Sequence, residues 1–521
     1  MTTPETPSPA RTVAAIDIGS NSLRLIVAQV LSNGRVEVLE RLQRALRLGQ
    51  DTFTRLRFSA ATMRAAVAVL RDFRRIIDSY QVEKVRAVAT SAVREAANAD
   101  TFLDRIFMAT GLDVVIIDTA EETRLTVSAV REAAGSALLA KRKNALVADV
   151  GGGSTLLTML EGGDIAVSQS LPLGSIRLQE VLATSYDPPA RAAEVLRQQI
   201  ASEIAGLQAT LPLKRATMLI GVGSDARLAA ERAGKRLVST ALTTVRASAL
   251  NELVDQCRRH TPDELARLFD LPAIDAETLT PALLVYQALL EATQARTLTV
   301  ADVSMRDGLL LDLARSVTGQ EDQTLTEGIL HAALAVAEKY RADPEHARCV
   351  TDIAVRLFDE LQSEHGLSRR HRLLLQAAAI MHEVGSFIST RSHHKHSMYL
   401  IANAEIFGLT REERTLVALL ARYHRHAAPK ATHPEYMTLP RQERMIVSKL
   451  AALLRVADAL DDSHTQQVRD IGFRRQDEEL TIYVPTAADL TLERKAMAVK
   501  ADLFEDIYGL KVRLEETQPP V

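Results

Sequence analysis

The 521-residue chain predicts a duplicated α/β fold: two α/β domains facing each other across a cleft, then an all-α domain and a small α/β tail. Three observations carry this prediction. The stretches "AAIDIGSNSLRLIV" and "LVADVGGGSTLL" both read strand, Asp-x-Gly, small polar loop, strand, so Asp17 to Ser22 lines up with Asp149 to Ser154. A unit repeated in this way marks duplicated halves. The order β-β-β-α-β-α also runs twice before residue 318. Composition then changes near 320, where twelve of the thirteen histidines lie after residue 330 and the apolar period turns helical in "ARCVTDIAVRLFDEL" and "RTLVALLARYHRH".

Residues 1–11 form a polar, Pro-rich tail expected to be disordered. The first domain, 12–132, opens with strands at 12–18 and 22–31, and Asn33-Gly34 is a hairpin signal into "RVEVLERL". A helix follows at 59–80, then a strand at 85–90, a helix, and a strand at 112–118. The second domain, 133–318, repeats the order with "ALVADV", "TLLTMLEGG" and "IAVSQSLPL", a helical region at 188–209, the strand "ATMLIGVG" and a helix near 304–317. The helical domain covers 319–465. Alternation returns in "GFRRQDEELTIYV" and "LKVRLEE" of the 466–521 subdomain.

A net charge of −3 gives the chain as a whole no electrostatic case for nucleic acid or an anionic membrane, so any polyanion site must be local. The two cysteines, Cys257 and Cys349, have no metal-type spacing and fit a reducing compartment. No apolar run reaches the roughly 18 residues a membrane span needs. The N-terminus carries no signal pattern. The expectation is a soluble, cytoplasmic protein.

The two loops carry the chemistry. In Gly19, Ser20, Asn21 and Ser22, and in Gly151, Gly152, Gly153, Ser154 and Thr155, consecutive small residues let backbone N–H groups and hydroxyls converge on an anion. Asp17 and Asp149 would repel a bare phosphate and make sense with a divalent cation between, for which Mg²⁺ suits oxygen ligands and substrate phosphates. Two plain hairpin turns are the bland alternative, which the same Asp-x-Gly in corresponding places disfavours. Glu122 in "IIDTAEETRL" reads equally as the N3 member of a capping box begun by Thr119 and as a catalytic base. Arg94 in "ATSAVREAAN" reads as sitting in the first turn after a strand, where the helix dipole disfavours a cation. A phosphate met bidentately would explain it, as would a side chain reaching solvent.

Together "AAIDIGSNSLRLIV", "ATSAVREAANADTF", "EETRL", "ADVGGGST", "SLPLGSIRL" and "GVGSDARLAA" resemble the exopolyphosphatase/guanosine pentaphosphate phosphohydrolase family, over about 12–515. That family shares its duplicated, ribonuclease H-like fold with actin, sugar kinases and heat-shock ATPases. The resemblance implies that Glu122 is the general base for an attacking water. It further implies that Arg94 and the two loops hold the terminal phosphates, and that Asp17 and Asp149 lie near Mg²⁺. A homodimer is implied by the resemblance alone.

The chain also departs from the family pattern. The family's second loop ends Gly-Gly-Gly-Ser-Thr-Glu, and here that glutamate is Leu156. Ser224 and Asp225 stand where the family has Gly-Thr, and the usual Arg-Ala-Asp…Gly segment is missing from "IDAETLTPAL". Fold and phosphate binding are hardly touched by these changes; rate and substrate choice are. The helical domain resembles the HD phosphohydrolase fold through His346, His382-Glu383, His396, His424 and Asp458. Metal-binding HD sites use His…His-Asp…Asp, and Glu383 replaces the Asp, so the expectation is a vestigial, metal-free domain. Arg391, Lys395, Arg422, Arg425 and Lys430 make a basic strip that either tracks a polyanion or is an ordinary solvated surface.

The function expected is a Mg²⁺-dependent exopolyphosphatase that releases orthophosphate from the end of inorganic polyphosphate. One alternative is a guanosine pentaphosphate 5′-phosphohydrolase, with guanosine pentaphosphate or tetraphosphate as ligand. Another is a sensor that binds polyphosphate or an alarmone and hydrolyses it slowly, a role Leu156 suits. A sugar kinase would need a nucleotide pocket that Ser224-Asp225 opposes.

Overall fold

The computed structural model describes residues 10–135, 144–184, 187–207, 210–237, 242–319, 323–404, 406–425, 427–468, 471–476, 478–484 and 490–516. Most of the N-terminal tail lies outside them. The chain divides between Asp322 and Gln323 into two compact units. In the first unit, one sheet holds β1 (Arg11–Ile18), β2 (Ser22–Val30), β3 (Val36–Ala45), β4 (Lys84–Ala89) and β5 (Val114–Ile116), in the order β3-β2-β1-β4-β5. The other holds β6 (Asn144–Val150), β7 (Thr155–Glu161), β8 (Asp164–Leu171), β9 (Met218–Val222), β10 (Gly234–Arg236), β11 (Leu242–Arg246) and β12 (Thr297–Ala301), in the order β10-β11-β12-β9-β6-β7-β8. Each sheet has an antiparallel three-strand meander, β1–β3 or β6–β8, continued by parallel strands, β4–β5 or β9 and β12.

The second half is not a simple copy. Between β9 and β12 it adds the strands β10 and β11, with β10 at the sheet's edge, and the helices Ala247–Cys257, Pro262–Phe269 and Ala273–Ala292. β10 is three exposed residues, Gly-Lys-Arg, too short and too polar to show alternation.

The central strands are buried on both faces, so alternate residues feed different cores. Ala14, Ile16 and Ile18 of β1 pack with Leu70 and Phe73, while Val13 and Ala15 pack with Leu309, Leu310 and Leu313 of the Met305–Thr318 helix. In β6, Leu146 and Ala148 join the main core of the second sheet. Ala145 and Val147 meet Val127, Val130 and Ala134 of the Thr119–Ala134 helix. Asp17 and Asp149 continue the Val13/Ala15 and Ala145/Val147 series, one per strand. This parity aims both carboxylates into the space between the sheets.

The two helices are exchanged. The Thr119–Ala134 helix leaves the first sheet and covers the second, and the Met305–Thr318 helix does the reverse. Boundaries drawn along the chain at 132 and 318 therefore group each helix with the sheet it leaves. Where the two cross, a Cβ on Gly308 would overlap the backbone of Leu125, so glycine is what permits the approach.

Beside that crossing lies an ionic cluster: Arg124 and Arg86 both pair with Glu121 and with Asp312. Burial works to raise the Glu121 carboxyl, but the hydrogen bonds and charges of Arg124 and Arg86 outweigh it and bring it down to about 2. Breaking such a buried pair costs about 3–5 kcal/mol. Glu121→Gln, which keeps the shape, is expected to destabilise the first unit by about 3 kcal/mol in urea denaturation. An unchanged midpoint would show that Asp312 alone satisfies both arginines.

The second unit is helical, with Pro344–Glu360, Arg369–Met381, Arg411–Tyr423 and Arg441–Ala459 around a core including Leu357, Leu374, Leu420 and Leu453. Its three-stranded sheet comprises β13 (Gly472–Gln476), β14 (Glu479–Tyr483) and β15 (Lys511–Glu515), in that order. Leu480, Ile482 and Phe504 belong to the same core as the helices, so the C-terminal α/β segment shares its interior with the helical part. Among the described residues no helix is long and apolar enough to cross a membrane.

Candidate active site

The repeat seen in sequence is a repeat of conformation. In the first loop Gly19 N–H donates to Ser22 O at 3.2 Å, and in the second Gly151 N–H donates to Ser154 O at 2.9 Å. The turn carbonyls are drawn back into the protein. Those of Ser20 and Asn21 accept from Gly49 and Leu46 (2.8 and 3.1 Å), and those of Gly151 and Gly152 from Ser175 and Ile176 (2.9 and 3.0 Å). The N–H groups of Ser20, Asn21, Gly152 and Gly153 then donate to no protein acceptor among the described residues. Two such turns meeting across a cleft make a seat for an anion. They meet closely: a Cβ on Gly153 would overlap Ser91 Oγ, Phe53 and Ser20 Oγ, and Ser20 and Ser91 hydroxyls lie 3.1 Å apart.

Gly19, Ser20, Asn21, Ser22, Gly151, Gly152, Gly153 and Ser154 all line the cleft, and so do Asp17, Asp149 and Glu122. Thr155 does not. It is fully buried as the first residue of β7, and its hydroxyl donates to Leu173 O at 2.7 Å, so it braces the loop from behind.

Glu122 is not a helix cap. The N-cap is Asp118, whose carboxylate accepts from Glu121 N–H at 2.9 Å. With the frame moved by one residue, Glu121 turns into the ionic cluster and Glu122 into the cleft. Burial pushes the Glu122 carboxyl up to about 7, with Asp149 and Asp17 adding to the rise and Arg94 opposing it. Burial likewise raises Asp149, which accepts from Thr126 Oγ1 at 3.2 Å.

Arg94 is placed differently from the sequence expectation. It ends the four-residue Ser91–Arg94 helix rather than beginning one, so no dipole opposes it. It does not line the cleft. Its Nη1 donates to Glu122 Oε1 at 3.0 Å and to Ile117 O at 2.7 Å, which holds the carboxylate from outside.

The cations that do line the cleft are Arg24, Arg227 and Arg306, none of them singled out from the sequence. Arg24 lies opposite Asp17 in the β1–β2 register, and its buried Nε has no hydrogen-bond partner. Arg306 Nε is also buried and unpartnered, 4.0 Å from Asp17 Oδ2. Burial lowers the Arg306 guanidinium to about 10, with the like charge of Arg24 adding to the fall. A buried donor left unsatisfied costs about 1–3 kcal/mol, more when charged, so a facing pair of them points to an anionic ligand. The signal was present in "SNSLRLIV", a lone arginine in an otherwise apolar strand.

Leu156 sits directly opposite Asp149 in the β6–β7 register and lines the cleft. Glu121, the carboxylate next to Glu122 in the chain, does not replace the glutamate that Leu156 lacks, because it is spent in its ion pairs with Arg86 and Arg124. Asp225 accepts from Thr278 Oγ1 at 3.0 Å, and its burial raises the carboxyl to about 6.

Comparison with known proteins agrees with this geometry. The model for the Ppx/GppA phosphatase family matches residues 26–317, and that for the family's domain III matches 331–503. A guanosine-5′-triphosphate,3′-diphosphate pyrophosphatase from Photobacterium profundum is 26% identical over 427 residues, covering 78% of this chain and 79% of that protein. One from Aeromonas hydrophila is 27% identical over 411 residues, with the same shares covered. The crystal structure of an exopolyphosphatase from Cytophaga hutchinsonii matches 59% of this chain and 98% of its own, at a TM-score of 0.53 and 24% identity, which shows a shared fold. With the first family model spanning more than half of its residues, the chain belongs to the Ppx/GppA phosphatase family, hydrolases of phosphoanhydride bonds.

Proposed function

We propose that the chain is an exopolyphosphatase that removes orthophosphate from the end of inorganic polyphosphate. The observation that carries this reading is the cleft itself. Two donor-rich turns share the cleft with the guanidinium groups of Arg24, Arg227 and Arg306, and among the described residues no aromatic side chain lines the space to stack a nucleobase. Such a site suits a ligand that is phosphate throughout.

In this reading the terminal phosphoryl group lies between the turns. The N–H groups of Ser20, Asn21, Gly152 and Gly153 and the hydroxyls of Ser22 and Ser154 donate to its oxygens, and Arg24 and Arg306 neutralise it. Phosphoryl transfer needs chiefly such positioning and charge stabilisation. Glu122 takes a proton from a water as that water's oxygen bonds to the terminal phosphorus. The bridging P–O bond breaks, its oxygen stays with the shortened chain, and orthophosphate leaves. Arg94 positions the base. The carboxylate oxygens of Asp17 and Asp149, which raise Glu122 by their charge, fit a hydrated Mg²⁺. Bound there, the ion would neutralise phosphoryl oxygens.

A second reading, hydrolysis of the 5′-terminal phosphate of guanosine pentaphosphate, is favoured by the names of the curated relatives. A phosphate-release assay over long polyphosphate, tripolyphosphate and guanosine pentaphosphate, with and without Mg²⁺, decides between them. Faster release from long polyphosphate supports the proposal, and preference for the nucleotide overturns it.

Leu156→Glu tests whether the cleft is short of a carboxylate. Because Glu121 is committed elsewhere, the variant is expected to raise turnover several-fold and lower the Mg²⁺ concentration needed. A clear fall, with folding intact, would mean that added repulsion toward the polyanion dominates.

A further inference from the structure

The helical unit buries four histidines around Glu383, paired through their Nε2 atoms. His346 and His382 bring their Nε2 atoms to 3.2 Å, and His393 and His424 bring theirs to 3.1 Å. The other ring nitrogen is committed in each case. The Nδ1 of His382, His424 and His393 faces the carbonyls of Ala379, Ala421 and Thr390 at 2.7, 2.6 and 3.3 Å, and that of His346 faces Asp461 Oδ2 at 2.8 Å. An imidazole nitrogen against a carbonyl or carboxylate carries the proton, which leaves the Nε2 with its lone pair. Between His393 and His424, whose Nδ1 atoms both face carbonyls, lone pair therefore points at lone pair in a buried place, whereas His346, with a carboxylate at each ring nitrogen, is the one ring of the four placed to donate from its Nε2.

A cation between them resolves this. Two nitrogens bound at about 2.0–2.1 Å to one metal ion lie about 2.9–3.4 Å apart, and both pairs match. Carboxylates stand at each pair. Asp458 Oδ1 is 3.5 Å from the Nε2 of both His346 and His382, and Glu383 Oε1 is 3.9 Å from His393 Nε2. Glu383 belongs to both groups of three whose ligand atoms lie within 4.8 Å of one another, His346–His382–Glu383 and Glu383–His393–His424. The surroundings are those of oriented ligands: Lys500 Nζ holds Asp458 Oδ2 at 2.7 Å, while Asp461 and three carbonyls fix the rings.

We propose that this cluster holds two divalent transition-metal ions, one on His346, His382 and Asp458 and the other on His393 and His424, with Glu383 between them. Imidazole with carboxylate selects manganese, iron, cobalt or zinc over magnesium or calcium. This reverses the expectation of a metal-free domain and replaces His396 by His393. The extra methylene of Glu383 does not take its carboxylate out of reach of either pair.

The test uses the full chain, stripped with chelator, reloaded with Co²⁺ and freed of excess metal by gel filtration. About two Co²⁺ per chain are expected, with imidazole scattering in the cobalt X-ray absorption spectrum and a melting temperature above that of the stripped protein. His424→Gln should lose one ion and His382→Gln/His424→Gln both, while Asp17→Asn/Asp149→Asn in the cleft keeps two. No retained Co²⁺, or a spectrum showing oxygen ligands only, overturns the proposal even if no histidine variant folds. So does a folded double-histidine variant with wild-type metal content.

Discussion

Glu122→Gln is expected to lower turnover by ~10²-fold or more while leaving the fold as stable as before, or more so. The glutamine oxygen can still accept from Arg94, which now holds Glu122 Oε1 at 3.0 Å, but it cannot take a proton from water. The stability side follows from linkage. The folded-state value of about 7 lies above the ordinary 4.5, so between those values the folded chain binds more protons than the unfolded one. Wild-type stability from this group therefore falls as pH rises from about 4.5 to about 7 and stays low above it. The glutamine variant escapes that loss, and its advantage should be full above pH 7. The same ionisation governs rate: kcat/KM for wild type should drop toward acid pH as Glu122 is protonated, at a midpoint below about 7 once Mg²⁺ on Asp17 and Asp149 offsets their share of the rise, a limb the residual activity of the variant lacks. Near-normal turnover in Glu122→Gln would reduce the residue to a bystander.

Arg24→Gln is expected to lower kcat/KM by ~10–10²-fold, the range that one or two hydrogen bonds to a charged group span. Its Nε is buried without a partner among the described residues and its strand position faces Asp17, so no protein acceptor for that nitrogen explains its placement. A glutamine still fills part of the space but brings no charge. The loss should appear for every phosphate substrate, because the contact is with the terminal group common to them. An unchanged kcat/KM would mean that Arg24 only balances the aspartates.

The duplicated loops were legible because an aspartate followed by glycines and serines has few other uses between two apolar strands. What the sequence left open was decided by a frame of one residue. Thr119 and Asp118 are both good N-caps, and choosing Asp118 rotates the helix by about 100°. Glu121 thereby becomes the structural carboxylate and Glu122 the one in the cleft. The position of Arg94 is open in sequence for a similar reason, since a helix of four residues has its first and last turns in the same place. Thr155 continued the loop's small-residue run, yet it begins a strand whose alternation turns its hydroxyl to Leu173. Arg24 has no signal in the alternation itself, which is carried by the apolar members of β2. His393 and His396 lie one helical turn apart on a short helix, and only packing tells which meets His424.

The central claim is that water, deprotonated by Glu122, attacks the terminal phosphorus of polyphosphate. The most direct measurement is a single turnover of long-chain polyphosphate in ¹⁸O-labelled water, with mass analysis of the released orthophosphate and of the shortened chain. The label is predicted in the orthophosphate, one atom per molecule, with none in the chain. Label at the new chain end would place the attack on the penultimate phosphorus and contradict the account, as would the absence of orthophosphate release.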